Sequence, residues 1–97
     1  MFAIAFDMVV ADLQKHYGSK YHRAYHEIRK LLKRYTFEWV QGSTYLTAGD
    51  DMRVVFDAIT ALSEVDWFAK SVRDVRAFKV ENWSDFTASV KRRISPR

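Results

Sequence analysis

The sequence lacks cysteine, and this absence excludes disulfide bonds, cysteine-based metal sites and a thiol nucleophile. Glycine and proline are also scarce, with three and one in 97 residues, so the chain offers little material for flexible linkers. Its length predicts a single domain over residues 1–97. No apolar run approaches the roughly 18 residues of a membrane helix, and no signal-peptide pattern is present, so we expect a cytoplasmic protein with no membrane contact.

Positive charge is unevenly distributed along the sequence. The net charge is +4, but residues 15–34 contain seven Lys or Arg and one Glu. Apolar residues recur there at intervals of three and four, which predicts an amphipathic helix over residues 20–35 with Ser19 as its N-cap. The outer face of this helix would carry the basic side chains Arg23, Arg29, Lys30, Lys33 and Arg34. Such a face is ordinarily just solvated, and binding of phosphate groups is the functional alternative.

The first ten residues form an apolar run that a single carboxylate, Asp7, interrupts. A short run of this kind predicts a buried central strand. Strand alternation places Phe2, Ile4 and Phe6 on one face, which helices would cover, and Asp7 on the other face at the carboxyl end. We interpret residues 9–18 as a turn and linker, and Asp7 as the first candidate for chemistry.

The middle of the chain predicts a hairpin followed by a second helix. Residues 36–40 and 44–47 are rich in β-forming residues and flank a short turn at residues 41–43. A helical apolar stripe follows over residues 52–62, and two aspartates precede it, where they favour the positive end of the helix dipole.

The C-terminal third predicts an irregular connection, an edge strand and a short helix. We interpret residues 65–71 as an irregular apolar connection. Residues 72–81 interleave charged and apolar side chains, a composition that suits the edge of a sheet. Ser84 would cap a last short helix. The inward residues of that helix would be Phe86, Val90 and Ile94.

The order of predicted elements is that of an α+β, ferredoxin-like βαββαβ sandwich, here with a short C-terminal helix. Its antiparallel sheet has the strand order 4-1-3-2, which puts the apolar first strand in the middle and the charged fourth strand at an edge. Strands three and four start beside the end of strand one, so Ser43, Arg73 and Asp74 should converge on Asp7. Alternation would send Arg73 to the face opposite Asp74.

The sheet face without helices needs a cover, because the apolar side chains expected on it are unfavourable in water. A twofold homodimer packed through this face would supply the cover and would bring two copies of Asp7 towards one cleft. The alternative is a monomer that is closed by its own C-terminal helix.

Asp7 has two chemical interpretations beside a structural one, in which its carboxylate caps the turn after the strand. It could accept a proton from an attacking hydroxyl as a general base. Alternatively, two copies of Asp7 could share a divalent cation such as Mg²⁺ with water. The residues alone leave these interpretations open.

Two further groups of residues are ambiguous. His22 and His26 lie four residues apart on the predicted helix and could bind a metal together, but no third ligand stands at a recognisable spacing. Several aromatic residues could stack on unpaired bases, although at these spacings such residues more often belong to a core. They are Phe37, Trp39, Tyr45, Trp67 and Trp83.

Three stretches resemble one known family: FAIAFDMVV at residues 2–10, QGSTY at 41–45 and SVRDVRAFKVENWSDFT at 71–87. They are similar to the virulence-associated protein D family of small bacterial endoribonucleases. The resemblance implies a ferredoxin-like homodimer, related in fold to the small CRISPR-associated nucleases that carry an aspartate at the end of the first strand. It also implies RNA cleavage and, for some relatives, a role as the toxin of a toxin–antitoxin pair with a small antitoxin as partner.

The resemblance also suggests roles for particular residues. Asp7 falls on the strand-end aspartate, while Ser43 and Asp74 fall in the other two motifs, so we predict that these three are catalytic, with Mg²⁺ as a candidate ligand of Asp7. Contacts to RNA would come from Arg23, Arg29, Lys30, Lys33, Arg73 and Arg76. The structural alternatives are a turn role for Ser43 and an edge ion pair for Asp74. The alternative function is a non-catalytic nucleic-acid-binding protein, or an antitoxin-bound interaction protein, of the same fold.

Overall fold

The computed structural model describes residues 1–92 of the chain. The elements are β1 (Phe2–Met8), α1 (Val10–His16), α2 (His22–Arg34), β2 (Glu38–Gln41), β3 (Thr44–Thr47), α3 (Met52–Ser63), α4 (Asp66–Ser71), β4 (Val72–Lys79) and α5 (Thr87–Arg92). The predicted inward residue Ile94 lies outside the described residues. None of the helices within residues 1–92 is long and apolar enough to cross a membrane.

Strands β1 to β4 form one sheet in the order β2-β3-β1-β4. Each neighbouring pair is antiparallel. Taken from the β4 edge, this is the predicted order 4-1-3-2, so the prediction of an α+β, ferredoxin-like fold is confirmed. The apolar β1 therefore lies inside the sheet and the charged β4 lies at its edge.

The core lies between the sheet and the helices that cover one of its faces. Phe2, Ile4 and Phe6 of β1 are at most 7% exposed and form a buried cluster with helical residues such as Leu32 of α2 and Leu62 of α3. Each large apolar side chain buried in this way stabilises the fold by about 1.5–3 kcal/mol relative to an exposed one. The alternation predicted for β1 is thus confirmed.

Two short helices occupy segments that we did not predict to be helical. α1 replaces the expected linker and buries Leu13, and α4 replaces the expected irregular connection and buries Phe68. The two helices pack against each other. Beside them the rings of Tyr17 and Trp67 pack edge to face, with their centres 5.0 Å apart. Helices of seven and six residues are unstable alone, so their stability comes from this packing, which sequence periodicity does not reveal.

Two predicted helix caps are wrong. α2 begins after Tyr21 rather than after Ser19, and Tyr21 provides no side-chain cap. At the start of α5, the backbone N–H of Thr87 donates to the Asp85 carboxylate at 2.9 Å, so Asp85 rather than Ser84 satisfies this helix end. Hydrogen bonding by Thr87, through its side chain and its backbone N–H, stabilises the ionised carboxylate and lowers the pKa of Asp85.

The apolar side chains around α5 are exposed, which contradicts the prediction that they point inward. Phe86 is 68% exposed and Val90 is 66% exposed. The chain returns here from the β4 edge towards the β2 edge, where residues including Val40, Trp83 and Phe86 line an open groove of about 510 Å³. α5 buries none of its residues Thr87–Arg92, so this helix does not close the sheet face.

α2 ends in a Schellman motif that contains an unusual residue. The N–H of Thr36 donates to the Lys33 carbonyl and the N–H of Phe37 donates to the Leu32 carbonyl, both at 3.0 Å. Thr36 has a φ of 67°, a left-handed conformation that favours glycine. Because the motif uses these two residues, β2 begins at Glu38, two residues later than the predicted strand.

Candidate active site

The end of β1 brings together the residues that strand order predicted to converge. Asp7 is the register partner of Asp74 on β4. Towards β3, the backbone N–H of Phe6 donates to the Ser43 carbonyl at 3.1 Å. Arg73 Nη1 lies 3.5 Å from Asp7 Oδ2. The predicted convergence of Ser43, Arg73 and Asp74 on Asp7 is therefore confirmed as geometry.

A β-bulge places Arg73 beside Asp7, so the prediction from simple alternation is wrong. Asp7 pairs with Asp74, but the next pair along β1 is Met8 with Val72, which leaves Arg73 as the extra residue of β4. An extra residue breaks the period of two that would have sent Arg73 to the opposite face. Bulges of this kind are frequent at sheet edges and next to active sites, where they redirect a side chain.

Two carboxylates and two guanidinium groups form the charged part of the site. The Asp7 and Arg73 side chains are 62% and 65% exposed. Arg76 Nε donates to both Asp74 oxygens, at 3.0 and 3.2 Å. Because the pairs are exposed, each contributes at most about 1 kcal/mol to stability. The side chains can therefore rearrange around a bound anion at little cost.

The β2–β3 turn lies beside this charged cluster. Gly42 has a φ of 49° at the first central position of the turn, where a two-residue hairpin of type II′ needs a positive φ. Trp39 Nε1–H donates to the Gly42 carbonyl at 2.8 Å and ties the turn to β2. Ser43 follows at a half-buried position. We did not predict the Trp39 hydrogen bond, and its sequence signal is only an indole three residues before a turn glycine.

Arg29 takes a different place from the one predicted. It is half-buried rather than on the outer face of α2, and its guanidinium carbon lies 4.2 Å from the centre of the Trp39 ring, a cation–π distance. Arg29 Nε is buried and makes no hydrogen bond to any residue within 1–92. The guanidinium also approaches Tyr45, whose pKa is raised by burial, an effect that Arg29 partly offsets. Arg29 thus packs between α2 and the sheet.

The other predicted RNA-binding residues of α2 are exposed on the helical side of the sheet. Arg23, Lys30 and Lys33 occupy exposed positions, and in the described part of the chain none of them forms an ion pair with a carboxylate. Their layer covers the sheet face opposite to the one that carries Asp7. Arg73 and Arg76 are therefore the predicted contacts that the fold brings to Asp7, and the α2 residues form a separate basic surface.

The remaining aromatic candidates divide between core and surface. Phe37 and Tyr45 are buried, and Trp67 packs against Tyr17. Trp39 and Trp83 are 45% and 44% exposed. Of these five residues, Trp39 and Trp83 are therefore the ones that could stack on RNA bases.

A metal site built from three side chains is absent among the described residues, since no three His, Asp or Glu side chains within 1–92 are grouped as ligands. His22 and His26 are exposed on α2, where the prediction of a two-histidine site finds no third ligand. Asp7 and Asp74 offer two carboxylates on neighbouring strands. This pair suits a hard cation such as Mg²⁺ when phosphate oxygens or water complete its coordination.

Comparison with known proteins identifies the family. A family model described as CRISPR associated protein Cas2 matches residues 1–88. A protein of Dichelobacter nodosus named Endoribonuclease VapD is 59% identical over 91 residues, which cover 94% of this chain and 98% of that protein. Endoribonuclease VapD 1 of Riemerella anatipestifer is 52% identical, over 91% of this chain and 99% of that protein. Endoribonuclease VapD of Helicobacter pylori is 48% identical, over 94% and 99%. The chain therefore belongs to the VapD endoribonuclease family and carries the ferredoxin-like fold of the Cas2 family whose model it matches.

Proposed function

We propose that this protein is an endoribonuclease that cleaves phosphodiester bonds in RNA, with Asp7, Ser43 and Asp74 as its catalytic residues. The observation that carries the proposal is the exposed Asp7 carboxylate, 3.5 Å from the Arg73 guanidinium and next to the β2–β3 turn. A carboxylate beside a guanidinium can accept a proton where a phosphate is held. RNA as the substrate is supported by relatives named as endoribonucleases at 59% and 52% identity.

In the proposed reaction Asp7 acts as the general base. Its carboxylate accepts the proton of the hydroxyl that attacks phosphorus, while the bond from phosphorus to the leaving oxygen breaks and that oxygen takes a proton from water. Arg73 turns from Asp7 to the phosphate and offsets the negative charge that develops on its oxygens. The Ser43 hydroxyl donates to the same phosphate, and Asp74 orients Arg76 towards it.

A divalent cation is the alternative way for Asp7 to act. Asp7 and Asp74 would bind Mg²⁺ together with phosphate oxygens and water, and the cation would supply charge neutralisation at the phosphate. Arg73 and Arg76 compete for the same carboxylate oxygens. This competition favours the general-base role of Asp7, and a chelator tests for the cation.

The basic surface of α2 is proposed to bind the RNA backbone outside the site. Arg23, Lys30 and Lys33 are exposed and form no ion pair within residues 1–92, so a polyanion is a favourable partner for them. Binding of this kind weakens with salt, with a slope of about 0.7 per phosphate contact for a single strand.

We also propose that the protein is a homodimer formed through the sheet face that carries Asp7. Phe78 lies on this face and is 49% exposed, and the segment that follows β4 exposes Phe86 and Val90. Exposed apolar side chains near both edges of the sheet favour a protein interface across it. A twofold axis through this face would bring both copies of Asp7 towards one cleft.

A role as the toxin of a cytoplasmic toxin–antitoxin pair is a further part of the proposal. α2 contains five Lys or Arg and one Glu, a charge that favours an acidic antitoxin. A small acidic protein encoded beside this chain should co-purify with it and suppress cleavage. Lack of suppression at saturating antitoxin would contradict this part alone.

The experiment that tests the enzymatic proposal compares wild type with Asp7→Asn on labelled single-stranded RNA. Asparagine keeps the shape of aspartate but does not accept a proton at neutral pH, so we expect kcat to fall by about 10²–10⁴-fold. Asp57→Asn makes the same change at an exposed position of α3 and serves as the matched control, with wild-type kcat expected. Parallel reactions in Mg²⁺ and in EDTA distinguish a cation-assisted reaction from one that needs only the base.

Two results would contradict the proposal. If Asp7→Asn cuts RNA as fast as wild type, Asp7 is not catalytic and its carboxylate has only a structural role at the strand end. If folded wild type binds RNA but does not cleave it with or without Mg²⁺, the non-catalytic binding protein of the same fold is the correct interpretation.

A further inference from the structure

We infer that Trp39 is a positioning residue of the active site, supported by Arg29, and that it fixes the Gly42–Ser43 turn against Asp7. The inference rests on the proposed function, because it concerns the turn that carries Ser43. It also gives Arg29 a role different from the RNA contact that the sequence predicted.

Three contacts in series connect α2 to the end of β1. The Arg29 guanidinium lies over the Trp39 ring at 4.2 Å. Trp39 Nε1–H donates to the Gly42 carbonyl at 2.8 Å. The next carbonyl, that of Ser43, accepts from the Phe6 N–H at 3.1 Å. Phe6 directly precedes Asp7, so the series ends at the proposed general base.

The indole hydrogen bond lies where the sheet itself provides the least restraint. The register between β2 and β3 shifts between Trp39 and Gln41, just before the turn. A register shift leaves backbone groups unpaired and allows the strand to bend. Trp39 spans this irregular stretch, since its own backbone pairs with Tyr45 while its side chain bonds the turn. The Trp39 side chain thus supplies a restraint on the turn that the backbone hydrogen bonds between β2 and β3 lack.

The orientation of the indole is itself restrained. Trp39 is 45% exposed, so burial alone does not fix its ring. Arg29, itself half-buried, covers one face of the ring, and the hydrogen bond to Gly42 fixes the direction of Nε1–H. The Nε1–H therefore points at Gly42 in the folded protein before RNA binds.

The expected consequence is an effect on kcat rather than on RNA affinity. Positions of reacting groups matter strongly, and a displacement of about 1 Å can cost about 10²-fold in rate. The basic residues that bind RNA lie on α2 and β4, outside the turn, so loosening of the turn should leave KM nearly unchanged.

The test replaces Trp39 with phenylalanine, which keeps an aromatic ring under Arg29 but removes the N–H donor. We expect kcat to fall about 10-fold, with KM changed less than about 2-fold. Trp67→Phe is the matched control, since Trp67 packs against Tyr17 and lies outside the series of contacts, and it should leave both constants unchanged. A lower Tm with wild-type kcat, measured well below that Tm, would show a merely structural role and overturn the inference.

Arg29→Gln tests the second member of the series against the role predicted from sequence. If Arg29 supports Trp39, kcat falls while the salt dependence of RNA binding stays at the wild-type slope. Lys33→Gln provides the contrast on the same helix, with an expected rise in KM and a slope lower by about 0.7. A slope lowered equally by Arg29→Gln would show that Arg29 contacts RNA and would overturn its supporting role.

A double substitution separates this inference from the proposed function. If Trp39 acts through the turn, Trp39→Phe should lower kcat by much less than 10-fold in a Ser43→Ala background, because both substitutions affect the same Gly42–Ser43 turn. An undiminished 10-fold loss there would show that Trp39 acts elsewhere. If Asp7→Asn is inactive while Trp39→Phe has wild-type kcat, the inference fails and the proposed function stands. If Asp7→Asn is fully active, the proposed function fails first.

Discussion

Replacement of Thr36 by glycine sets two parts of the free energy of unfolding against each other. Thr36 adopts a φ of 67°, and a residue with a Cβ in this left-handed region costs about 1–2 kcal/mol. Its hydroxyl lies 2.9 Å from the hydroxyl of Thr47, which is only 3% exposed. Glycine removes the backbone strain but also removes the partner of the buried Thr47 hydroxyl.

The loss of the Thr47 hydroxyl's partner outweighs the relief of backbone strain at Thr36. Relief of the strain is reduced by the greater freedom of glycine in the unfolded chain, about 0.5–1 kcal/mol, which leaves a gain of about 0.75 kcal/mol at the centre of both ranges. A buried hydroxyl left without a partner costs about 1–3 kcal/mol. We therefore expect Thr36→Gly to lower the free energy of unfolding by about 0.5–2 kcal/mol. In a Thr47→Val background no hydroxyl is left unpaired, so the same change should instead raise it by about 0.5–1 kcal/mol.

The assay is urea and thermal unfolding of wild type, both single variants and the double variant, at one fixed protein concentration. Each kcal/mol corresponds to about 4–8 °C in Tm for a domain of this size. The change of sign between backgrounds is the decisive result. If Thr36→Gly destabilises both backgrounds, the left-handed strain is smaller than the entropic cost of glycine. If it stabilises both equally, the hydroxyl pair contributes nothing, and either result refutes the reasoning.

Two further predictions concern the core and the dependence of stability on pH. Phe68→Ala should lower the free energy of unfolding by about 3–5 kcal/mol, because the ring is 2% exposed and its centre lies 5.3 Å from that of Phe6 in an edge-to-face contact. Phe56→Ala, at a 66% exposed position, should change the free energy of unfolding by less than about 0.5 kcal/mol. Similar losses for both variants would contradict the assigned core. Hydrogen bonds from the Arg53 side chain and backbone lower the pKa of Asp51 from 3.8, so its contribution is present above pH 3.8 and is lost as the pH falls through the folded pKa. Burial raises the pKa of Tyr45 from 10.0, so its contribution is complete below pH 10.0 and is lost as the pH rises through the folded pKa. Urea unfolding at a series of pH values should therefore show a loss of stability below pH 3.8 and another above pH 10.0, and an unchanged stability in either range would contradict the contribution assigned there.

The strand order could be predicted because each strand carries a composition that fits one position in the sheet. β1 is apolar on both sides of its single carboxylate, as a central strand requires, and β4 carries the charges of an edge. The segments α1 and α4 could not be predicted with the same means. Each is under two turns long and owes its helical state to tertiary packing of Leu13 or Phe68, which local periodicity does not record.

The limits of strands and helices were harder to predict than their existence. The segment that begins at Thr36 has the β-branched and aromatic composition of a strand, yet its first two residues complete the Schellman motif of α2. The burial of Phe37 against Leu32 accompanies this motif and explains why a threonine accepts a left-handed conformation there. Packing at the helix end thus outweighs the intrinsic preference of the residue.

The candidate site was predictable as a meeting of strand ends but not in its charge arrangement. Topology alone brings Ser43, Asp74 and Asp7 together, whereas the partner of Asp7 depends on one extra residue in β4. Without the bulge, Arg73 would point to the helical face, and Asp7 would lie beside Asp74 and its partner Arg76 without a guanidinium of its own. Two neighbouring carboxylates would repel both each other and an incoming phosphate. The bulge therefore adds a second guanidinium, so that each carboxylate has one within reach. That local irregularity, rather than the regular strand pattern, makes the end of β1 suitable for chemistry on a polyanion.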